Sequence, residues 1–290
     1  MKIFCMGLLL SIFLAVSITS NFFAQFNPGA KQISIANSDV ALSNDVFSFF
    51  NNPAGLAQMN WREIGIYYSP SPFGFSELAN GFFCYHEPTV IGSFSVGGMT
   101  YGFELYRENR IMLGYSFNYD NNFFAGAVVN YHIVSIKNYG SSGVFYINLG
   151  GLIYITNFFR WGFFVHNVNH ASFVNEDDQI PLLMNSGLSY DIAGSLSFNF
   201  SVEKDIRYNP SLRAGINYDV FDNISLRSGF SNNPSCYSGG LGINYSYFSL
   251  DYAVFNHPDL GLTHQAGIII SFAEEGTRTA RIKNYLRIKE

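Results

Sequence analysis

At 290 residues the chain has room for one large domain, and 16 basic against 21 acidic residues leave a net charge of −5, which offers nucleic acid no footing. Only 13% of residues are charged, while 18% are aromatic and 27 are glycine. A water-soluble domain carries roughly a quarter charged residues, so an ordinary solvated surface is poorly provided for.

Lys2 opens the chain, an apolar run follows from Ile3 to about Ile18, and Thr19-Ser20-Asn21 then leads into Phe22-Phe23-Ala24. This is the layout of a secretory signal peptide over 1–24, cut after Ser20 or Ala24. Cys5 lies inside the apolar run, too early for lipid attachment, and Cys84 and Cys236 are expected to be free thiols. No later stretch is apolar and long enough to span a membrane as a helix. A membrane reading must therefore rest on strands closed into a barrel, which satisfies its own backbone hydrogen bonds in lipid.

Residues 25–60 do not alternate. Asp45-Val46-Phe47-Ser48-Phe49-Phe50 followed by Asn51-Asn52-Pro53-Ala54-Gly55-Leu56 reads as short helical or irregular structure. Placed before the first strand, it is expected either as a plug in or under the barrel or as a loose periplasmic leader.

From 61 to 272 the chain is a series of period-two segments. Leu212, Ala214, Ile216, Tyr218 and Val220 share one face, and Arg213, Gly215, Asn217 and Asp219 the other. One face is apolar and aromatic throughout. The other is Gly, Ser and Asn with an occasional charge, unlike the Lys- and Glu-rich face of a soluble sandwich. The pattern predicts an all-β fold, a transmembrane antiparallel barrel with lipid outside and a crowded polar interior. Fourteen strands are expected, over 62–69, 79–86, 89–97, 109–119, 123–135, 143–155, 158–166, 182–190, 195–203, 210–220, 223–230, 237–245, 247–255 and 263–272. Even-to-odd connections, beginning with Glu87-Pro88 and Asp120-Asn121-Asn122, are expected to be tight periplasmic turns. Odd-to-even connections, such as Ser69 to Leu78, Asn167 to Pro181, Ser231 to Cys236 and Asn256 to Leu262, should be longer and extracellular. The tail 273–290 is basic and is read as a solvated periplasmic segment, with docking to a partner or to lipid headgroups as the alternative.

Catalytic chemistry finds no support. His166 and His170 are four apart, but they fall at a strand end and in a loop, which argues against a metal pair. Asp251 and Ser249 share a face with no histidine beside them, and no phosphate loop, paired-cysteine motif or Gly-x-Ser-x-Gly element occurs. No enzyme, metal or cofactor is expected. The inward charges Glu203, Arg213, Asp219, Arg227 and Asp251 are the candidate site. They form either a salt-bridge network packed against 25–60 or scattered charges lining a wet lumen, since a buried charge needs a partner or water.

Two regions carry a family resemblance. Gly29-Ala30-Lys31-Gln32 leads through Val40-Ala41-Leu42-Ser43-Asn44-Asp45 to Asn52-Pro53-Ala54-Gly55-Leu56, and Gly240-Leu241-Gly242 leads through Ser249-Leu250-Asp251-Tyr252-Ala253 to His257-Pro258-Asp259-Leu260-Gly261-Leu262. Together they resemble the opening and the last hairpin of PorV/PorQ-like outer-membrane proteins, within the wider superfamily of FadL-type channels. The resemblance implies a fourteen-stranded barrel in the outer membrane. Its first functional implication is a non-enzymatic component linked to type IX secretion, with secreted proteins or secretion-system components as partners. The alternative is a FadL-like passive channel for hydrophobic or small solutes. Two departures stand out: Ser34-Ile35-Ala36-Asn37 replaces a glycine-rich run, and a tail follows Phe272 where the final strand commonly ends the protein.

Overall fold

The structure, a computed structural model, describes residues 28–173, 180–192, 194–273 and 276–287; the expected signal peptide over 1–24 and its cleavage site lie outside them. Fourteen antiparallel strands close into one barrel. They are β1 (Arg62–Ser69), β2 (Asn80–Thr89), β3 (Gly92–Gly102), β4 (Tyr106–Tyr119), β5 (Phe123–Ile136), β6 (Gly140–Thr156) and β7 (Phe159–His166), then β8 (Leu183–Ile192), β9 (Leu196–Asp205), β10 (Ser211–Phe221), β11 (Ile224–Asn232), β12 (Ser235–Tyr245), β13 (Phe248–His257) and β14 (Gly261–Phe272). Each strand pairs with its chain neighbours, and β1 closes on β14 from Arg62↔Phe272 to Tyr68↔Ala266. Closure leaves no unpaired edge, the condition for strands to lie in hydrocarbon.

The alternation sorts side chains as a barrel requires. On β10, Leu212, Ala214 and Ile216 are exposed while Ser211, Arg213 and Gly215 are buried. Outward positions elsewhere carry Ile66, Leu113, Phe145, Leu188, Phe200, Leu226, Leu250 and Ile268, all exposed. Such an apolar girdle is stable only against lipid.

Both ends of the wall, Arg62 and Phe272, lie at one rim, called here the terminal end; the opposite rim is the loop end. Turns at the terminal end are tight, but the first is not at Glu87-Pro88. Those residues belong to β2, opposite Phe94 and Ser93, and the turn is Val90-Ile91. Proline is tolerated near a strand end, where losing one N–H costs little pairing. The expectation of uniformly longer loops at the other rim also needs correction. Segments 70–79 and 167–182 are long, whereas β11 and β12 extend to Asn232 and Ser235, leaving only Asn233-Pro234 between them. Likewise β13 and β14 run to His257 and from Gly261, so that connection is also short.

Residues 28–60 lie inside the barrel and are buried almost without exception. They form α1 (Ala30–Ser34), α2 (Ser48–Asn51) and a 3-10 turn (Pro53–Gln58). The tail differs from the solvated segment expected. It folds back as α3 (Arg278–Leu286), capped by Thr277, with Ile282 and Leu286 buried in the hydrophobic core that includes the plug residues Leu56 and Met59.

What admits the plug is a belt of small inward residues. It comprises Gly65, Cys84, Gly97, Gly114, Gly126, Gly150, Gly162, Gly187, Ser201, Gly215, Gly229, Gly240, Ala253 and Gly267, one on each strand. Many are direct partners across the ladder: Gly65↔Cys84↔Gly97, Gly126↔Gly150, Gly162↔Gly187↔Ser201, Gly215↔Gly229 and Gly240↔Ala253. A Cβ at Gly126 would lie 2.6 Å from the Pro53 carbonyl carbon, one at Gly162 2.3 Å from the Val40 oxygen, and one at Gly229 2.4 Å from the Ile35 carbonyl carbon. The plug backbone is in van der Waals contact with the wall, and a side chain at these points would displace it. Gly126→Val should therefore destabilise the barrel by about 1–3 kcal/mol, the usual cost of overpacking. Gly98→Val, on the outward face with its nearest neighbour 3.5 Å away, should be neutral. Urea midpoints of the detergent-solubilised protein check the difference.

Candidate lumen site

The five inward charges stand on β9, β10, β11 and β13 and sort into two groups. Near the loop end Arg213 donates to Glu203 at 2.6 Å, both side chains about nine-tenths buried. Near the terminal end Arg227 donates to Asp251 at 2.5 Å and to the Asn217 amide oxygen at 2.7 Å. Asn217 in turn reaches Asp219 at 3.4 Å, which also accepts from Ser225 at 2.7 Å. Gly242 leaves room for this second group, since a Cβ there would sit 2.6 Å from an Arg227 nitrogen and 2.7 Å from an Asp251 oxygen.

A third charged group is set at the terminal mouth by the plug, β1 and the tail. Glu63 is fully buried; it accepts from Trp61 Nε1 at 2.8 Å, the Val46 amide at 2.9 Å and Arg278 at 2.6 Å. Arg278 also donates to the Asn44 carbonyl at 3.1 Å, and Arg281 lies 5.2 Å from the centre of the Trp61 ring. Beside them Lys31 bridges to Asp45 at 2.9 Å, and the Gln32 amide donates to the same carboxylate. Burial alone would push the Asp45 carboxyl up. The Lys31 and Arg278 charges outweigh that, with hydrogen bonds from Lys31 and Gln32, and hold it below the ordinary carboxylate range. Between tail, plug and the ends of β8–β13 a polar recess of ≈ 90 Å³ opens, lined by Asp45, Asp191, Ser197, Asn217, Asp219, Arg227, Asp251 and Arg278 among others.

The remainder of the lumen is divided. From β13 round to β4, Phe255, Ile269, Tyr67, Phe82, Met99 and Met112 turn apolar or aromatic side chains inward among polar ones such as Thr263, Gln265, Ser69 and Asn80. Phe73, on the loop over the barrel, meets Phe255 at 5.6 Å, and Phe255 packs on the core. Within that core Phe82 meets Tyr67 at 5.8 Å and Phe50 at 5.3 Å, and Phe50 meets Phe49 at 5.2 Å. Met99 and Met112 complete the lining. On β4–β7 near the loop end stands a polar group: His132 donates to Glu108 at 2.9 Å, Arg110 lies 5.5 Å from the Tyr146 ring centre, and His166 is 4.9 Å from that ring. The loop after β7 closes over it, with Phe173 against the His132 ring and the Pro181 carbonyl accepting from His166 Nδ1 at 3.0 Å.

The motif residues have structural duties. Asn52 caps the 3-10 turn and donates to the Val40 carbonyl at 2.7 Å and the Gly151 carbonyl at 3.0 Å, fastening plug to wall. Pro53 and Ala54 lie against Gly126. Gly55 is required because a Cβ would fall 2.1 Å from the Ser43 oxygen. His257, Pro258, Asp259, Leu260 and Gly261 form the last turn, where the Asp259 amide donates to His257 and Gly261 has φ 83°. Cys84 and Cys236 are free. Among the described residues no group of His, Cys, Asp and Glu is arranged to hold a metal.

Glu63, Glu108, Arg110 and His132 were not among the expected site residues. Alternation carried further along β1, β4 and β5 places each on the inward face, so the signal was present. The tail's Arg278 had no such signal, because its partner is 215 residues away in the chain.

No sequence-family profile matches the chain, and no curated protein matches it in sequence. Similar solved structures exist. The CymD monoaromatic hydrocarbon channel aligns with a TM-score of 0.68 at 12% identity, over 88% of this chain and 100% of that one. The toluene transporter TbuX of Ralstonia pickettii gives 0.66 at 12% identity, over 86% and 98%. A FadL homologue of Pseudomonas aeruginosa gives 0.57 at 14% identity, over 84% and 97%. The fold is thus that of the FadL-type barrels.

One buried plug carboxyl lacks a cation at hydrogen-bond distance. Burial, and then the Asp45 carboxylate, push Asp39 from 3.8 up to about 6, against hydrogen bonds from its own backbone N–H and from the Asn51 amide at 3.5 Å. The folded state therefore holds a proton that the unfolded chain releases, so stability is greatest below the ordinary value and falls as pH rises through about 6. Asp39→Asn should abolish that fall and raise stability at pH 7 by up to about 3 kcal/mol. Urea midpoints from pH 4 to 8 test it.

Proposed function

We propose that the protein is a passive channel of the outer membrane for small apolar solutes. The observation that carries this is the aromatic series Phe73, Phe255, Phe82, Tyr67 and Phe50, which runs from the loop end to the plug on one side of a barrel whose inward faces on β8–β10 carry polar residues and glycine. An apolar solute leaving water gains about 25 cal/mol for each Å² it buries, so such a wall concentrates it where a polar wall would not. The likeness to hydrocarbon channels and a toluene transporter supports the same reading. In this orientation the terminal end is periplasmic and the loop end extracellular. The plug lies across the path, so passage requires the plug to shift.

The secretion role implied by the PorV/PorQ resemblance has less behind it. None of the three similar structures is a secretion component. Deleting the gene separates the two readings. Slower uptake of a radiolabelled monoaromatic or alkane with an unchanged set of secreted proteins is the expected result, and Phe82→Asp in the complementing copy should reproduce the slow uptake several-fold. Unchanged uptake with secreted proteins lost would return the assignment to secretion.

A further inference from the structure

The inward faces of β8, β9 and β10 form a polar strip, continued on β11 by Ser225, Arg227, Gly229 and Ser231. From Asn185 to Asp191, Ser197 to Glu203 and Ser211 to Asp219 every inward residue is polar or glycine. The rungs are in register from rim to rim: Asp191↔Ser197, Ser189↔Asn199, Gly187↔Ser201 and Asn185↔Glu203, with Arg213↔Ser201 and Ser211↔Glu203 on the other side. At the terminal end this strip runs into the polar recess through Asp191, Ser197 and Asn217. Two of its carboxylates are neutralised, Asp191 by Arg160 and Glu203 by Arg213, each at 2.6 Å, while Asp219 at the terminal end accepts from Ser225 and Asn217.

Within the strip several enclosed polar atoms have no hydrogen-bond partner: Asn199 Oδ1, Ser201 Oγ, Ser211 Oγ and Arg213 Nη1; on the plug turn Asn37 Oδ1 is likewise unpaired. The residues on the wall are all more than nine-tenths buried. A stack of unpaired polar groups is costly to keep dry. The plug segment that covers it is itself strained. Ala36 and Asn37 both stand in the left-handed region at φ 55° and 53°, unusual for a non-glycine pair. Ile35 and Ser38 press on Gly215, and Val40 on Gly187, where side chains would not fit.

We infer that this strip is a second permeation route, for water and small neutral polar molecules, gated by the plug turn Ile35–Val40 and separate from the aromatic path. Lifting the turn relieves its left-handed residues and lets water pair the stranded hydroxyls and amides. A column of hydroxyls, amides and neutralised ion pairs favours uncharged polar solutes over ions and over hydrocarbons. The route goes beyond the apolar channel and stands without it.

The belt supplies an internal control. Ser201 on β9 and Cys84 on β2 occupy equivalent belt positions, both fully enclosed, one in the polar strip and the other next to Phe82 of the aromatic series. The full chain, carrying Cys5→Ser and Cys236→Ser with and without Ser201→Cys, is reconstituted in phospholipid vesicles and treated with the neutral polar reagent hydroxyethyl methanethiosulfonate. Arabinose flux is read by vesicle swelling, and entry of a fluorescent aromatic hydrocarbon is read in parallel. The expected result is labelling of Ser201→Cys with Cys84 spared, and an arabinose flux above that of empty vesicles that falls several-fold on labelling. Ser201→Cys as inert as Cys84 overturns the route. So do equal labelling of both thiols, which would mean that the plug leaves as a unit, and labelling that leaves arabinose flux unchanged. Absence of hydrocarbon entry would count against the apolar channel alone.

Discussion

A segment threaded through the inside of a barrel must bring its backbone against the wall, and every side chain between them keeps the two apart. Here the wall yields at one level all the way round. Each of the fourteen strands turns a glycine, alanine, serine or cysteine inward at that level, and residues 28–60 fill the space so made. The rest depends on this fit. Because the backbone sits so close, Asn52 can reach the Gly151 carbonyl, and Ala36 N–H can reach the Ser238 hydroxyl at 3.1 Å. These bonds satisfy groups that would otherwise be dry and unpaired.

The same fit explains how charge is placed. Lys31, Asp45, Glu63 and Arg278 come from plug, wall and tail, yet they meet at one mouth, each offsetting the burial cost of another. Replacing one leaves its partner enclosed and unpaired, which is costlier than never having had the pair. Above this seal aromatic side chains line the lumen from β13 to β2, and polar residues and glycine line it on β8 to β10. An apolar solute and a polar one would therefore travel along different walls.

Period-two alternation made the barrel, its fourteen strands and the direction of each side chain legible, because a membrane leaves few other ways to satisfy it. Turn positions were less legible. Pro88 looked like a turn but lies inside β2, since pairing with Ser93 tolerates a proline so near the end. The inward glycines were read simply as part of a small polar face. Their role as a belt depends on which rungs they share, such as Gly162 with Gly187, and register is a property of the folded sheet. The charges Glu203, Arg213, Arg227 and Asp251 could be placed inward but not paired, because Arg227 finds Asp251 across β12, two strands away. The tail's return to Glu63 was least legible of all, being a contact between opposite ends of the wall.

The central claim, that the segment 28–60 is an integral filling of the barrel and not a leader lying loose beneath it, is tested most directly by hydrogen exchange. Mass spectrometry of the protein in lipid nanodiscs would follow peptides covering 30–58 alongside those from β5 and β6. The plug amides are expected to exchange as slowly as the strand amides, over hours or longer. Exchange of the plug at the rate of an unstructured peptide, with the strands still protected, would contradict it.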